Sequence, residues 1–239
     1  MLTPSKTRLL LILILLLYLL LAVGYGAVNP LFEAPDEQHH YFTIRYIAAN
    51  RTLPTTDTAG ELERQEAAQP PLYYLLAAPL VALAGDAGAE VQLWSNPTVL
   101  IGESRPINVN SFVHTDVESW PWQGYARAAH VVRFLSAVIG LGTLLCIYGS
   151  GRLIWPEAPA IALLATALVA FLPQFGFLHG AISNDVLVIF FSSCALWQLL
   201  AAPRARSARR RPSVWPCTEG SRAVHRRDPR PSRLVGAPR

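Results

Sequence analysis

The sequence predicts an all-α, polytopic helical membrane protein with about four transmembrane helices and a long outer first loop that carries juxtamembrane helices. Of its 239 residues, 52% are hydrophobic and only 15% are charged, whereas a soluble domain has about 25% charged residues. The mean hydropathy is positive, at +0.30. Four charge-free apolar runs, each about as long as one membrane span, complete the argument.

The first apolar run, residues 9–28, follows Lys6 and Arg8 and contains no charged residue. A run of this length can cross the hydrocarbon core of a bilayer. A cleaved signal peptide is the alternative, but signal-peptide cores are usually about 7 to 15 residues long. We therefore expect an uncleaved first span. The other three runs, at 134–151, 158–178 and 186–202, predict the second to fourth spans within residues 130–202.

The distribution of charge predicts the orientation of these spans. The loop of residues 29–129 holds twelve acidic side chains and five arginines, whereas the tail of residues 203–239 holds eleven arginines. Basic segments next to spans prefer the cytoplasmic side. We therefore expect residues 1–8 and the tail in the cytoplasm and the long loop outside, in a multi-pass protein of the plasma membrane.

Two juxtamembrane helices are expected in the outer loop, near residues 35–50 and 70–84. The apolar part of the second is about thirteen residues long, which is too short to cross the membrane unaided. Pro70 and Pro71 are suited to a helix start. This helix is expected to lie on or dip into the outer leaflet, and a buried helix of an external domain is the alternative.

The segment EAPDEQHHYFTIRYI, residues 33–47, is the strongest candidate for a functional site. It places two adjacent carboxylates, Asp36 and Glu37, and two adjacent histidines, His39 and His40, where a membrane helix emerges into water, which is unfavourable unless they have a function. On a helix, Asp36, His39 and His40 share one face. Glu37 lies within reach of His40 alone. The alternative is a simple helix start, because first-turn carboxylates interact favourably with the helix dipole.

A second polar cluster, formed by His179, Ser183, Asn184 and Asp185, is predicted where the third span ends and the fourth begins. Ser183 or Asn184 caps the fourth span, and Asp185 lies in its first turn. His130 and Arg133 lie one turn apart in the second span, where an arginine pairs with a lipid phosphate or extends to the headgroups. Because both clusters face one compartment, we expect them to form one site.

The order and spacing of these motifs resemble the amino-terminal part of the type C (GT-C) membrane glycosyltransferases. The resemblance rests on EAPDEQHH after the first span, QPPLYYLL on a juxtamembrane helix, RAAHVVRFLSAVIGLGTLL in the second span, and FLPQF before SND. It covers about residues 9–200. The chain is similar in this respect to bacterial relatives of protein O-mannosyltransferases and lipid A aminoarabinose transferases.

This resemblance implies a transferase that uses a polyprenyl-phosphate-linked sugar at the outer face of a lipid bilayer. In the family an acidic residue of the first outer loop acts as general base on the acceptor hydroxyl, which corresponds to Asp36 or Glu37. We prefer Asp36, which shares its face with both histidines. Cationic groups are also needed to stabilise the departing phosphate. The expected substrate-binding residues are His39, His40, Arg45, His130, Arg133, Asn184 and Asp185.

No cofactor is certain from the resemblance. Some family members hold a divalent metal, and the helix face that carries Asp36 could ligate one. The cysteines show no metal-ligand spacing, and Cys146 and Cys194 lie in apolar runs, where a thiol behaves as a small hydrophobe. No nucleic-acid partner is expected. The sequence does not identify the sugar, the acceptor or an oligomer.

The carboxyl-terminal end departs from the family, whose members generally carry further spans and a soluble domain. Residues 203–239 contain eleven arginines, six prolines and no lysine. A basic tail at the anionic inner leaflet is one interpretation. A frameshift or truncation near residue 205 is the preferred one, because out-of-frame GC-rich DNA commonly encodes arginine and proline. A non-catalytic membrane fragment or small partner subunit is therefore the alternative to an enzyme.

Overall fold

The computed structural model describes residues 3–86, 91, 93–99 and 110–209, with the backbone alone for residues 203–209. Within these ranges it contains seven α-helices and no strand. The helices are α1 (Pro4–Val28), α2 (Glu37–Asn50), α3 (Leu72–Leu83), α4 (Gly124–Ile154), α5 (Pro159–Ala170), α6 (Pro173–His179) and α7 (Asp185–Arg209). Two short 3₁₀ turns, Glu66–Ala68 and Asp116–Glu118, complete the secondary structure of these ranges, apart from one isolated bridge. The predicted all-α class is confirmed.

Three of the described helices, α1, α4 and α7, are long and apolar enough to cross a membrane. The α5–α6 pair passes the same test but is bent by 64° at the break between its helices. Pro173 is the first residue of α6 and has no amide hydrogen with which to continue the hydrogen bonding of α5. The prediction of a polytopic helical membrane protein is confirmed, with three spans or four when the bent pair is counted as one.

Helix α4 begins six residues before residue 130, where the predicted second span starts. It starts at Gly124 and therefore includes Arg127, His130 and Arg133 in its first turns. These side chains do not prevent a helix here because two of them have internal partners. Arg133 is only 2% exposed, and the Arg127 guanidinium donates to the Ala84 carbonyl. The charge-free run thus marks only the central part of the helix.

Helix α3 occupies the range expected for the second juxtamembrane helix. It has 12 residues, which is shorter than a membrane span, and Pro79 lies inside it. It packs against α2 and α4. Tyr73 and Tyr74 at its start are both 1% exposed, so they face the protein interior. Its depth in the membrane stays a prediction.

Helix α2 begins at Glu37, two residues later than expected. Asp36 occupies the N-cap position with φ of 58°, in the left-handed region, and its side chain makes no capping hydrogen bond. The interpretation of both carboxylates as first-turn residues is therefore wrong for Asp36. Glu37 is the first helical residue. Because the backbone at Asp36 is left-handed, the side chains of Asp36 and Glu37 point in different directions.

The core is assembled around α4, which packs against α1, α3 and α5. One buried cluster joins α2, α3 and α4 and contains Tyr41 and Tyr125. A second cluster joins α1 to α4 and includes Tyr18 and Ala137. The Tyr18 hydroxyl donates to the Ala137 carbonyl at 3.1 Å. This bond satisfies a hydroxyl that burial in an apolar region would otherwise destabilise.

The cysteines lie closer together than their spacing indicates. The Sγ atoms of Cys146 on α4 and Cys194 on α7 are 3.0 Å apart, and both thiols are free. The sequence places them 48 residues apart in different spans. Their proximity therefore depends on how α4 packs against α7, which the sequence alone does not specify.

Large apolar side chains remain exposed on α1 and α7, among them Leu9, Leu20, Leu196 and Leu199. In the most apolar window of α1, only 17% is buried inside the protein. Exposed apolar surface of this extent is unfavourable in water. It is the surface expected of helices that contact lipid.

The contacts divide the chain into two units, Met1–Pro203 and Arg204–Arg239. The first unit contains the helical bundle. Helix α7 is described as far as Arg209, and the boundary of the tail at residue 203 stays a prediction. The predictions of a basic tail or a frameshift for residues 210–239 lie outside the described residues.

Candidate active site

A buried ion pair between Glu37 and Arg133 is the centre of the polar region. Nε and Nη2 of Arg133 donate to the two carboxylate oxygens of Glu37 at 2.8 and 2.6 Å. The side chain of Glu37 is 0% exposed and that of Arg133 is 2% exposed. Two parallel hydrogen bonds of this kind fix both the distance and the plane of the pair. The first turn of α2 is thereby joined to α4.

The remaining donors of Arg133 bind the end of α1. Its Nη1 donates to the carbonyls of Gly26 and Asn29, both at 2.7 Å, and its Nη2 donates to the Pro30 carbonyl at 3.0 Å. A guanidinium has five N–H donors. All five are therefore used inside the protein, and the Arg133 side chain connects α1, α2 and α4.

Glu37 also joins the two predicted polar clusters. Its Oε2 accepts from the Phe32 amide and its Oε1 from the Ile182 amide, each at 2.9 Å. Ile182 belongs to the turn between α6 and α7, where the second cluster was predicted. Glu37, and not Asp36, therefore connects the two segments in which the clusters were predicted, and their forming one site stays a prediction.

Asp36 has the opposite environment. Its side chain is exposed and has no hydrogen-bond or ion-pair partner among the described residues. It lines a cavity of about 490 Å³ together with Phe32, Glu33, Gln38 and Phe112. An accessible carboxylate at the wall of a cavity is suited to contact a ligand, whereas a carboxylate with four internal donors is not.

Glu33 positions one wall of this cavity. Its two oxygens accept from the amides of Ser111 and Phe112 at 2.8 and 2.9 Å, and His114 Nε2 lies 2.9 Å from Oε1. His114 Nδ1 lies 2.8 Å from a Glu118 oxygen. The sequence analysis assigned no role to Glu33 or His114. Glu33 lies in the EAPDE motif, three residues before Asp36, and this closeness in the sequence could have identified it as a candidate.

His40 belongs to a buried network and does not face the cavity. Its Nδ1 lies 3.0 Å from the Tyr74 hydroxyl and 3.2 Å from Glu66 Oε2, and Tyr74 donates to the same oxygen at 2.7 Å. Burial raises the pKa of Glu66, but hydrogen bonds to His40 and Tyr74 outweigh burial and lower its pKa. The network holds α2 against α3. His39 Nδ1 is 2.8 Å from the Leu62 carbonyl.

Arg45 has a similar structural partner at the other end of α2. Its Nε lies 3.3 Å from a carboxylate oxygen of Asp86, which also accepts a hydrogen bond from the Tyr41 hydroxyl. Asp86 is fully buried. Its burial raises the pKa of this carboxyl despite the opposing effects of Tyr41 and Arg45. Asp86 and Glu66 were not predicted, because a lone carboxylate in a loop carries no sequence signal for burial.

The helix face that was considered for a divalent metal does not bring three ligands together. Within the described ranges, no group of three or more His, Cys, Asp or Glu side chains is arranged to hold a metal ion. His39 and His40 each bind a protein group, and Asp36 precedes the helix instead of sharing its face. The interpretation of Asp36, His39 and His40 as ligands on one helical face is therefore wrong.

The remaining predicted residues line other surfaces. His130 packs edge-on against Trp122 with ring centroids 3.6 Å apart, and it lines an apolar groove of about 280 Å³ between α1 and α4. Asn184 lines a cavity of about 270 Å³ with Tyr73 and residues of α7. Asp185 is exposed, and its amide donates to the Ser183 hydroxyl at 3.2 Å. The Ser183 hydroxyl therefore accepts from the first amide of α7, whereas Asn184 occupies the position directly before the helix.

Residues 116–220 match the family model described as dolichyl-phosphate-mannose-protein mannosyltransferase. No curated protein and no solved structure matches the chain significantly. The matched segment begins before α4 and contains Arg133 and the turn before α7, but it does not include Asp36 or α2. Over this segment, the resemblance to the type C membrane glycosyltransferases that the motifs predicted is confirmed.

Proposed function

We propose that the chain is a membrane glycosyltransferase of the type C kind that moves a sugar from a polyprenyl-phosphate donor to an acceptor hydroxyl, with Asp36 as general base. The observation that carries the proposal is the contrast between two adjacent carboxylates. Glu37 accepts four hydrogen bonds and is fully buried, whereas Asp36 is exposed at a cavity. The family match to residues 116–220 supports the reaction class.

The chemistry of transfer requires what Asp36 offers. Its carboxylate takes the proton of the acceptor hydroxyl while that oxygen attacks the anomeric carbon of the sugar. The bond from the anomeric carbon to the phosphate oxygen breaks, and its electron pair leaves with the polyprenyl phosphate. A base for this step must be reachable by the acceptor. Asp36 meets that requirement and Glu37 does not.

Glu37 and Arg133 act as positioning residues in this proposal. They join the ends of α1, α2 and α4 to the α6–α7 turn, and Asp36 is the residue directly before Glu37. His39, His40 and Arg45 hold α2 in place through their own protein partners. His130, Asn184 and Asp185 remain candidates for contact with the donor, because each lines a cavity or is exposed.

The reaction is proposed to take place at the extracytoplasmic face of the plasma membrane. The acidic loop carries Asp36, and the positive-inside rule favours this loop outside. The exposed apolar faces of α1 and α7 suit contact with the bilayer and with a lipid-linked donor.

A donor-turnover assay tests the function. The purified full chain is incubated in lipid vesicles with radiolabelled polyprenyl-phosphate mannose and a membrane extract as acceptor source. We expect time-dependent release of polyprenyl phosphate and transfer of label to the acceptor fraction. Sugar transfer is shown only if both polyprenyl phosphate and labelled acceptor are formed. If neither exceeds the level given by protein-free vesicles, with mannose or with any other polyprenyl-phosphate-linked sugar as donor, the alternative of a non-catalytic membrane subunit is favoured.

A further inference from the structure

A second pocket lies at the opposite end of the bundle from Asp36, where α1 starts and α4 ends. It has a volume of about 330 Å³ and is lined by Pro4, Thr7, Arg8, Leu11, Tyr148, Arg152 and Pro159. Two arginines on different helices therefore converge on one cavity. The Tyr148 side chain adds a hydroxyl. The proposed transfer reaction uses none of these residues.

The charge of this pocket is not neutralised by the protein. Among the described residues, neither Arg8 nor Arg152 forms an ion pair. Arg152 uses Nη1 to donate to the Pro156 carbonyl at 2.9 Å, which leaves its other donors available. Glu157 lies in the α4–α5 turn and is exposed, but it pairs with neither arginine. Lys6 lies two residues from Arg8 and adds a further positive charge.

We propose that this pocket binds the phosphate headgroup of an anionic phospholipid. The guanidinium groups of Arg8 and Arg152 donate to the phosphate oxygens, and the apolar side of the pocket near Leu11 contacts the upper acyl chains. Basic pockets between membrane helices on the cytoplasmic side recognise anionic headgroups in this way. Because α1 and α4 run in opposite directions, the site lies at the membrane surface opposite to Asp36.

A lipid fits the pocket better than a free phosphate. The cavity is lined by the apolar side chains of Pro4, Leu11 and Pro159 as well as by the two arginines. A soluble anion would use only the arginines, whereas a phospholipid also covers this apolar surface. A phospholipid headgroup and inorganic phosphate both present a phosphate anion. Competition between the lipid and inorganic phosphate for the pocket distinguishes them.

Fluorescence quenching tests the proposal on the full chain in detergent micelles. Trp155 lies three residues after Arg152 and is 46% exposed, so it reports on this end of the bundle. Phosphatidylglycerol with brominated acyl chains is compared with brominated phosphatidylcholine. We expect tighter binding of phosphatidylglycerol, seen as quenching that Trp155→Phe reduces. The double variant Arg8→Gln with Arg152→Gln should weaken its binding about 30-fold, from the contribution expected of two surface arginines.

Three controls make the result decisive. Arg51→Gln removes an exposed arginine at the end of α2 and should leave phosphatidylglycerol binding unchanged. Arg8→Gln alone, which breaks no described hydrogen bond, should weaken binding about fivefold if the double variant does not fold. The proposal is overturned if the arginine variants bind like the unmodified chain. It is also overturned if inorganic phosphate at millimolar concentration displaces the lipid, since the pocket would then be a free-phosphate site.

Discussion

The Glu37 carboxylate and the Arg133 guanidinium form a buried, two-bond ion pair that connects four segments of the chain. Removal of one partner leaves the other charged and buried without compensation, which typically costs about 3–5 kcal/mol. Arg133→Gln and Glu37→Gln should therefore each lower the free energy of unfolding by about this amount. Thermal unfolding in detergent measures the loss.

Glu61→Gln is the matched control for this prediction, because Glu61 is an exposed glutamate of the same loop. It should leave the unfolding temperature within a degree or two of the unmodified chain. Arg133→Lys should restore little stability, since an ammonium cannot make two parallel bonds to a carboxylate. Unchanged stability of Arg133→Gln would contradict the structural role of the pair.

A close approach of α1 and α4 should make Gly140 intolerant of any side chain. A Cβ at Gly140 would lie 1.8 Å from the Tyr18 hydroxyl and 2.7 Å from a His179 ring carbon. Overpacking of this kind costs about 1–3 kcal/mol. We therefore expect Gly140→Ala to lower the thermal stability of the chain in detergent. Gly24→Ala, where nothing lies within 4 Å, should not lower it.

A second substitution distinguishes this clash from a general effect of alanine on α4. Tyr18→Phe removes the hydroxyl that a Cβ at Gly140 would meet. Combined with Gly140→Ala, it should destabilise less than the sum of the two single changes, because the nearest clash is gone. Additive losses would show that the packing of α1 against α4 differs from the structure described.

The contact between Cys146 and Cys194 predicts a specific cross-link. With their Sγ atoms 3.0 Å apart, the two thiols should form a disulfide when the membrane-embedded protein is treated with copper phenanthroline. Alkylation after denaturation should then modify Cys217 alone, whereas the untreated chain shows three reactive thiols. Cys146→Ser is the control, in which Cys194 should remain reactive. Three reactive thiols after oxidation would contradict the packing of α4 against α7.

The orientation of the chain can be measured with a membrane-impermeant maleimide. In a background where the three native cysteines are replaced by alanine, Thr56→Cys in the acidic loop should be labelled in intact cells. Ser5→Cys, before the first span, should be labelled only after the membrane is permeabilised. Both positions are exposed, so access depends on the side of the membrane. The reverse pattern would place Asp36 in the cytoplasm.

Much of the fold follows from the lengths of the apolar runs in the sequence. The spans and α3 were predicted because hydrocarbon thickness sets the length that an apolar run needs in order to cross the membrane. The start of α4 was missed because its polar first turns are buried by partners that come from other helices. The second polar cluster was predicted to join the first, and the Glu37 bond to the Ile182 amide connects the two regions.

The partners of the candidate residues could not be predicted from the sequence. His40 and Arg45 pair with Glu66 and Asp86, each more than twenty residues away. Such pairs depend on how α2 packs against α3, and no local pattern encodes that packing. Asp36 is exposed and Glu37 is buried because the backbone at Asp36 has a positive φ, which helical periodicity does not reveal.

The most direct test of the account is the sugar-transfer rate of Asp36→Asn. Asparagine tolerates the left-handed backbone at this position and keeps the size of the side chain, so the fold and the expression level should not change. Loss of the base should lower the rate by about 10²- to 10⁴-fold. Asp57→Asn, at an exposed aspartate of the same loop, should transfer at the unmodified rate. An Asp36→Asn chain that is folded and active within a few-fold of the unmodified protein would contradict the assignment of Asp36 as the base.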